Sequence, residues 1–257
     1  MEETIERVEI GGKRHYQVSR DNVIVGTYPS MTTILGGSKD ERDMDGLQKW
    51  RDRVGHVEAD RISYLSMNRG TIMHRLIELY KATKGTPEER LQELHNIAEQ
   101  DEECTQFNED VNGTIWWDSA WEMFMKFWNN HDKFFDRVEE VLMAEGFIWS
   151  ERGFAGTLDN ASKMVDGGVL IIDYKNSRKP KRDMWIEDYF CQVAGYSVAF
   201  FERTGTAPTG CEIWIANEID DEPQNFKMTY EDIKYYFKKF MKRLRIYEER
   251  NPISNEG

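Results

Sequence analysis

Gly156-Thr-Leu-Asp159, Ile171-Ile-Asp173-Tyr-Lys175 and Gln192-Val-Ala-Gly-Tyr196 stand within one short stretch of this 257-residue chain, and their reading decides the fold. Val169 to Asp173 is an apolar run that follows Asp166-Gly167-Gly168. Such a run, entered from a turn signal, reads as a buried strand. The segment before it, about 154–165, reads as its partner, because Asp-Gly between apolar runs favours a hairpin in which glycine takes positive φ without strain. Pairing the two brings Asp159 and Asp173 close although they lie 14 positions apart. Converging carboxylates repel each other. A divalent cation relieves that repulsion, and hard oxygen ligands suit Mg2+ or Mn2+. Lys175 follows Asp173 by two positions, so strand alternation puts both side chains on one face. An ammonium there can orient or deprotonate an attacking water and offset charge building on phosphorus. Asp159 and Asp173 therefore read as metal ligands, and Lys175 as the catalytic cation of a phosphodiester hydrolysis.

Asp-x-Lys is short, and the chain holds a second copy, Asp232-Ile-Lys234, in a helical, charged region where it reads as a solvated face. Context separates the two. The first copy has an apolar strand before it, a Gly-x-x-Asp strand before that, and a helix after it, starting near Trp185 or Asp188. On that helix Gln192 and Tyr196 are four apart and share a face. An amide and a phenol so placed can contact phosphate or sugar oxygens without reading sequence. They can equally be a buried aromatic with a polar neighbour.

Taken together these residues resemble the PD-(D/E)XK nuclease superfamily, in its RecB-like exonuclease branch, with a pattern similar to that of the mitochondrial genome maintenance exonuclease and its phage-encoded relatives. The supporting phrases are Tyr28-Pro-Ser-Met-Thr-Thr-Ile-Leu35, Arg69-Gly-Thr-Ile-Met-His74, Gly156-Thr-Leu-Asp159 and Ile172-Asp-Tyr-Lys-Asn-Ser-Arg-Lys-Pro-Lys181, and they occur in the family's order. The resemblance implies an upstream metal-bound histidine, a position that His74 matches. Ile72, Met73, Leu76, Ile77, Leu79 and Tyr80 give its helix a broad apolar face, and His74 and Glu78 share the remaining side. A neutral imidazole can ligate the cation, and Glu78 can hold it through a water or tune the site. Glu145, in Val141-Leu-Met-Ala-Glu-Gly146, is either a further acid near the metal or a plain strand carboxylate. Ser30 and Thr32 can cap the helix that starts beside them. In the family that segment faces nucleic acid, as does the stretch with Ser177 and Lys179, so phosphate contact is implied for all four. The chain has Leu-Asp where many members have Pro-Asp. Its three cysteines, Cys104, Cys191 and Cys211, exclude the four-cysteine iron–sulfur cluster of some relatives.

Hydrophobic residues at 39% and aromatics at 12% indicate a folded globular chain with a substantial core. Three scattered cysteines imply no disulfide framework and a reducing compartment. No apolar run approaches the roughly 20 residues that span a bilayer, and the acidic start has neither signal- nor transit-peptide character. These features predict a cytoplasmic protein, in the host cytoplasm if phage-encoded, with no membrane partner. A net charge of −13 opposes a general affinity for nucleic acid. The distribution softens that: Lys175, Arg178, Lys179, Lys181 and Arg182 cluster after the catalytic strand, Lys234 to Arg245 forms a second basic group, and acid gathers around Glu88 to Asp110.

Along the chain, residues 1–28 read as an N-terminal hairpin turning at Gly11-Gly12, 40–84 as helical, 88–103 as an acidic helix and 114–139 as an aromatic-rich helix. The stripe with Trp116, Trp117, Trp121, Phe124, Phe127 and Trp128 can stack bases, but reads first as core packing. Three strands follow over 140–175, then a helix to about 202, a final core strand at Cys211–Ala216 and a closing helix at 229–249. The order predicts an α/β fold: a restriction-endonuclease-like core with a central mixed β-sheet flanked by helices, N-terminal helical elements and a helical insertion at 85–135, all in one nuclease domain whose catalytic core is 140–217. The expected activity is that of a Mg2+- or Mn2+-dependent DNA exonuclease acting on single strands or strand ends. The resemblance implies 5′-phosphate and 3′-hydroxyl products. An endonuclease of the same superfamily and a catalytically silent DNA-binding or interaction module are the alternatives.

Overall fold

The computed structural model describes residues 3–105 and 116–252, without the side chains of 41–45, 116 and 117. Strands β1 (Glu3–Ile10), β2 (Lys13–Arg20) and β3 (Val23–Pro29) lead into helices α1 (Met31–Gly37), α2 (Glu41–Val54), α3 (His56–Ala82), α4 (Pro87–Ala98), α5 (Glu102–Thr105) and α6 (Trp116–Asn129). The second half runs β4 (Val138–Ser150), β5 (Phe154–Met164), β6 (Val169–Ser177), α7 (Glu187–Thr204), β7 (Gly210–Asn217), β8 (Gln224–Thr229) and α8 (Tyr230–Arg250).

The five later strands form one sheet in the order β4-β5-β6-β7-β8. The β5–β6 turn is closed by Met164 N donating to Gly168 O, with Gly167 at φ +89. The Asp-Gly signal is therefore a hairpin, as the sequence predicts. β6 and β7 are parallel, and the other neighbours are antiparallel. A parallel pair needs a crossover, and α7 supplies it. Helices cover both faces. On one, α1, α7 and α8 pack with Phe154, Leu158, Ile171, Ile213 and Ile215. On the other, α3, α4 and α6 pack with Ile172, Tyr174, Trp214 and Ala216. β7 is buried along its whole length, which accounts for its nearly unbroken apolar sequence. The aromatic stripe of α6 belongs to this second layer: Phe124 lies 5.5 Å from Tyr80 and Phe127 6.2 Å from Trp214, ring centre to ring centre.

Several expectations change. The N-terminal segment is a three-stranded meander rather than a hairpin. After Gly11-Gly12 the chain reverses again at Asp21-Asn22, both in the left-handed region at φ 49 and 65, which short polar side chains tolerate. It packs on the main sheet through Tyr16, Val18, Trp149 and Ala155. The helical region 40–84 breaks at Gly55, φ +88, into α2 and α3. The acidic helix is α4, capped by a Thr86–Glu89 capping box, followed by the separate turn of α5. The aromatic helix ends at Asn129 and gives way to two 3-10 turns; its expected start at 114 lies outside the described residues, as do the side chains of Trp116 and Trp117 and the acidic positions 106–110. Cys211–Ala216 is not the last strand, since β8 adds an edge. Its half-exposed pattern carries little apolar signal. Among the described residues no helix is long and apolar enough to cross a membrane.

The second Asp-x-Lys is a helix start. Thr229 and Asp232 form a capping box on α8, and Lys234 pairs with Glu231 at 2.9 Å.

Candidate active site

The β5–β6 ladder ends at Asn160 opposite Ile172. Past that point Tyr174, though level with Trp214 of β7, has no partner on β5, and two of the predicted residues take up its backbone groups. Tyr174 N donates to Asp159 Oδ2 at 2.8 Å, and His74 Nε2, from α3, donates to Tyr174 O at 2.8 Å. The hydrogen on Nε2 is required, because a carbonyl oxygen only accepts. The other ring nitrogen, Nδ1, faces Glu145 Oε1 at 3.3 Å and Asp159 Oδ2 at 3.7 Å. A bare nitrogen there would turn a lone pair toward two carboxylates. Burial opposes an imidazolium, but Asp159 and Glu145 outweigh it and raise the His74 pKa to about 9.

Glu145 comes from β4. Its neighbours pair Ala144 with Asn160 and Gly146 with Leu158, so Glu145 stands level with Asp159. Its backbone is at φ +44, a region that costs a non-glycine residue about 1–3 kcal/mol. Ligand atoms of His74, Glu145 and Asp159 all lie within 4.8 Å of one another. The acid left open between two readings in the sequence is thus brought into the group.

Asp173 stands just outside that trio, 1% exposed. Lys175 Nζ lies 2.5 Å from its Oδ2, while Oδ1 has no hydrogen-bond partner among the described residues. Burial pushes its pKa up, Lys175 pulls it back and Asp159 adds to the rise, to about 6. Lys175 is the converse. Burial disfavours its charge, but Asp173 and Asp159 hold it up at about 12. It is therefore a cation here, fit to donate rather than to take a proton. Its ammonium also lies 5.3 Å from the ring centre of Tyr189.

The other predicted residues are placed as follows. Glu78 accepts from Arg75 Nη1 at 2.7 Å, on the rim of the cleft that Gly70, Thr71, His74 and Glu145 also line. Gln192 and Tyr196 are buried and bonded to each other, Nε2 to hydroxyl, at 3.2 Å. Tyr196 lies against Gly156, where a Cβ would come within 2.7 Å of its ring, which explains the glycine. Ser30 is buried and caps α1, accepting from Thr33 N at 3.0 Å, while Thr32 beside it is exposed. Ser177 is buried and its hydroxyl accepts from Lys179 N at 3.2 Å, closing a turn that leaves Lys179 exposed.

Sequence reasoning missed three supports. Lys81, one turn of α3 beyond Glu78, donates to the Tyr174 hydroxyl, and burial pulls its pKa down to about 7. Its spacing of seven from His74 on one helix is the only signal. Asn176, next to Lys175, accepts from Arg69 Nε at 2.9 Å and donates to Ser66 O at 3.2 Å. Gly70 is the third. A Cβ there would come within 2.7 Å of Asn176 Nδ2. Gly70→Ala is expected to break these bonds, lower stability by about 1–2 kcal/mol and slow hydrolysis; thermal melting and a rate measurement check both, and an unshifted melt would refute the close contact.

The donor set suits a hard divalent cation: carboxylates from three adjacent strands, an imidazole, and the buried Asp173 Oδ1, an acceptor without a donor among the described residues. A model of the PD-(D/E)XK nuclease superfamily matches residues 47–249.

The chain belongs to the PD-(D/E)XK nuclease superfamily.

The match covers α3, the whole sheet and nearly all of α8, and a nuclease function goes with it. Among solved structures, a candidate exonuclease from Eubacterium rectale is similar over 65% of this chain and 69% of that one, with 15% identity and a TM-score of 0.44. No curated protein matches the chain.

Proposed function

We propose that this superfamily member is a Mg2+- or Mn2+-dependent DNA exonuclease of the RecB-like kind, acting on single strands or strand ends in replication, repair or recombination in the cytoplasm. One observation carries the reading: Glu145, Asp159 and Asp173 lie on adjacent strands with His74 on one side and Lys175 on the other. Asp159 and Asp173 would hold the cation, with His74 and Glu145 completing its surroundings. When bound, the ion supplies an activated water and a polarised phosphoryl oxygen. Lys175, charged over the whole physiological range, offsets negative charge as it builds on phosphorus. Residues 140–217 act as the catalytic core and 85–135 as a helical insertion within one nuclease unit.

Overall acidity restrains nonspecific duplex binding. Half of the second basic group is spent in ion pairs: Lys234 with Glu231, Lys239 with Glu187 and Arg243 with Asp188. Among the described residues Lys179, Lys181 and Arg182, near Lys175 in sequence, have no carboxylate within 4 Å and are left to meet phosphate. Linear and covalently closed circular single-stranded DNA separate the exonuclease from an endonuclease of the superfamily. With Mg2+ or Mn2+ the linear form is expected to disappear and the circle to persist, and EDTA to stop both reactions. A cut circle would support the endonuclease, and no metal-dependent cleavage of either would leave a binding module.

A further inference from the structure

The turn between β6 and α7 holds apolar surface out in water. Met184 is 77% exposed and Trp185 61%. Such exposure is ordinary in a loose loop, but this turn is anchored. Lys181 N donates to Gln224 Oε1 at 2.7 Å, and Gln224 Nε2 donates back to Lys181 O at 3.0 Å. Trp185 N donates to Arg182 O at 2.8 Å, and the next residue, Ile186, is buried in the core. Ser177 closes the start of the segment. The indole is therefore presented by a fixed backbone, without a core position to fill.

Its surroundings are cationic. The Arg182 guanidinium lies 5.1 Å from the Trp185 ring centre. Of Arg178, Lys179, Lys181 and Arg182, only Arg178 has a carboxylate within 4 Å among the described residues, Glu218 at 3.9 Å. On a chain of net charge −13 this is a marked local concentration of positive charge. Arg178 and Lys181 line one open cleft with Lys175, Tyr189 and Met67. A cationic track beside an exposed aromatic suits unpaired bases and their phosphates, because every base has a face to stack and a duplex hides those faces.

We infer that Trp185, flanked by Arg182 and Met184, is a stacking platform for the bases of a single strand whose phosphates pass over Arg178 and Lys181 toward Lys175. This rests on the reading of the site as a nuclease for DNA strands, so binding and cleavage are measured apart. Anisotropy of a fluorescent oligothymidylate and of a blunt hairpin duplex, in EDTA, gives the binding. W185A is expected to weaken oligothymidylate binding about tenfold, as loss of one stacked base does, and to leave the duplex unchanged. W185F should bind nearly as wild type, and the thermal melts of both should match it. Unchanged oligothymidylate binding in W185A, or an equal loss for both ligands, overturns the platform. W185-dependent binding by a wild-type protein that cleaves no linear DNA supports the platform and overturns the exonuclease reading instead.

Discussion

Asp173→Asn is expected to reduce hydrolysis by about a hundredfold to a thousandfold or more while making the protein harder to unfold at neutral pH. The activity falls because the variant removes one of the two carboxylates that would hold the cation. The gain in stability follows from burial. Asparagine imitates the protonated acid, and the Asp173 carboxyl in the folded chain is raised from 3.8 to about 6. Ionised Asp173 therefore opposes folding. That cost is present above about pH 6, shrinks as pH falls, and is gone below about 4, where folded and unfolded chains are both protonated. At about 1.4 kcal/mol per pH unit the gain at pH 7 is of the order of 1–3 kcal/mol, a few degrees in melting temperature for a chain of this size. Denaturant melts of both proteins at pH 7 and pH 4 check it, and the difference should vanish at the lower pH. A variant less stable than wild type at pH 7 would mean that the buried Lys175 ammonium, left without Asp173, costs more than the buried carboxylate did. Lys175→Ala makes the contrast: it should lose activity comparably, but lower stability, since it takes away the partner and leaves the buried acid.

How much of this is legible in the sequence differs residue by residue. The β5–β6 hairpin is, because Asp166-Gly167 needs a left-handed glycine between apolar runs and the structure shows one. The Asp173–Lys175 pairing is, because strand alternation is rigid. The end of the β5–β6 ladder after Asn160 is not: it depends on α3 bringing His74 against the Tyr174 carbonyl, a contact 100 positions apart. The same holds for Asn176, whose partners Ser66 and Arg69 lie on that helix. Gln192 and Tyr196 show the opposite limit. Their spacing gave a shared face correctly, but only the packing of α7 says that the face turns inward to Gly156 and the carboxylates. Second-half strands with strong apolar runs are readable, whereas β8 and β3 are short, half-exposed edges with weak patterns.

Glu145 is the residue for which sequence said least, and it gives the second large effect. A glutamate at φ +44 in a strand is held there by its surroundings, at a strain of about 1–3 kcal/mol. Glycine takes that conformation freely. Glu145→Gly should therefore relieve strain, offset in part by the added flexibility of the unfolded chain, for a net stability change between zero and about +1 kcal/mol. Either Glu145→Gly or Glu145→Gln should weaken Mg2+ or Mn2+ binding by about 10- to 100-fold. Glutamine keeps the strained backbone and removes only the charge, so the two variants separate geometry from electrostatics. In both, the imidazolium of His74 loses one of the carboxylates that raise its pKa to about 9, and its titration should move down. Isothermal titration with each metal, melting curves and an NMR titration of His74 read the three effects. If Glu145→Gly destabilised the protein while Glu145→Gln left metal affinity intact, the residue would be a structural strand carboxylate. If instead glycine is tolerated and both variants lose the metal, the left-handed bend exists to swing an acid across from Asp159, and β4 belongs to the active site as fully as the Asp-x-Lys strand.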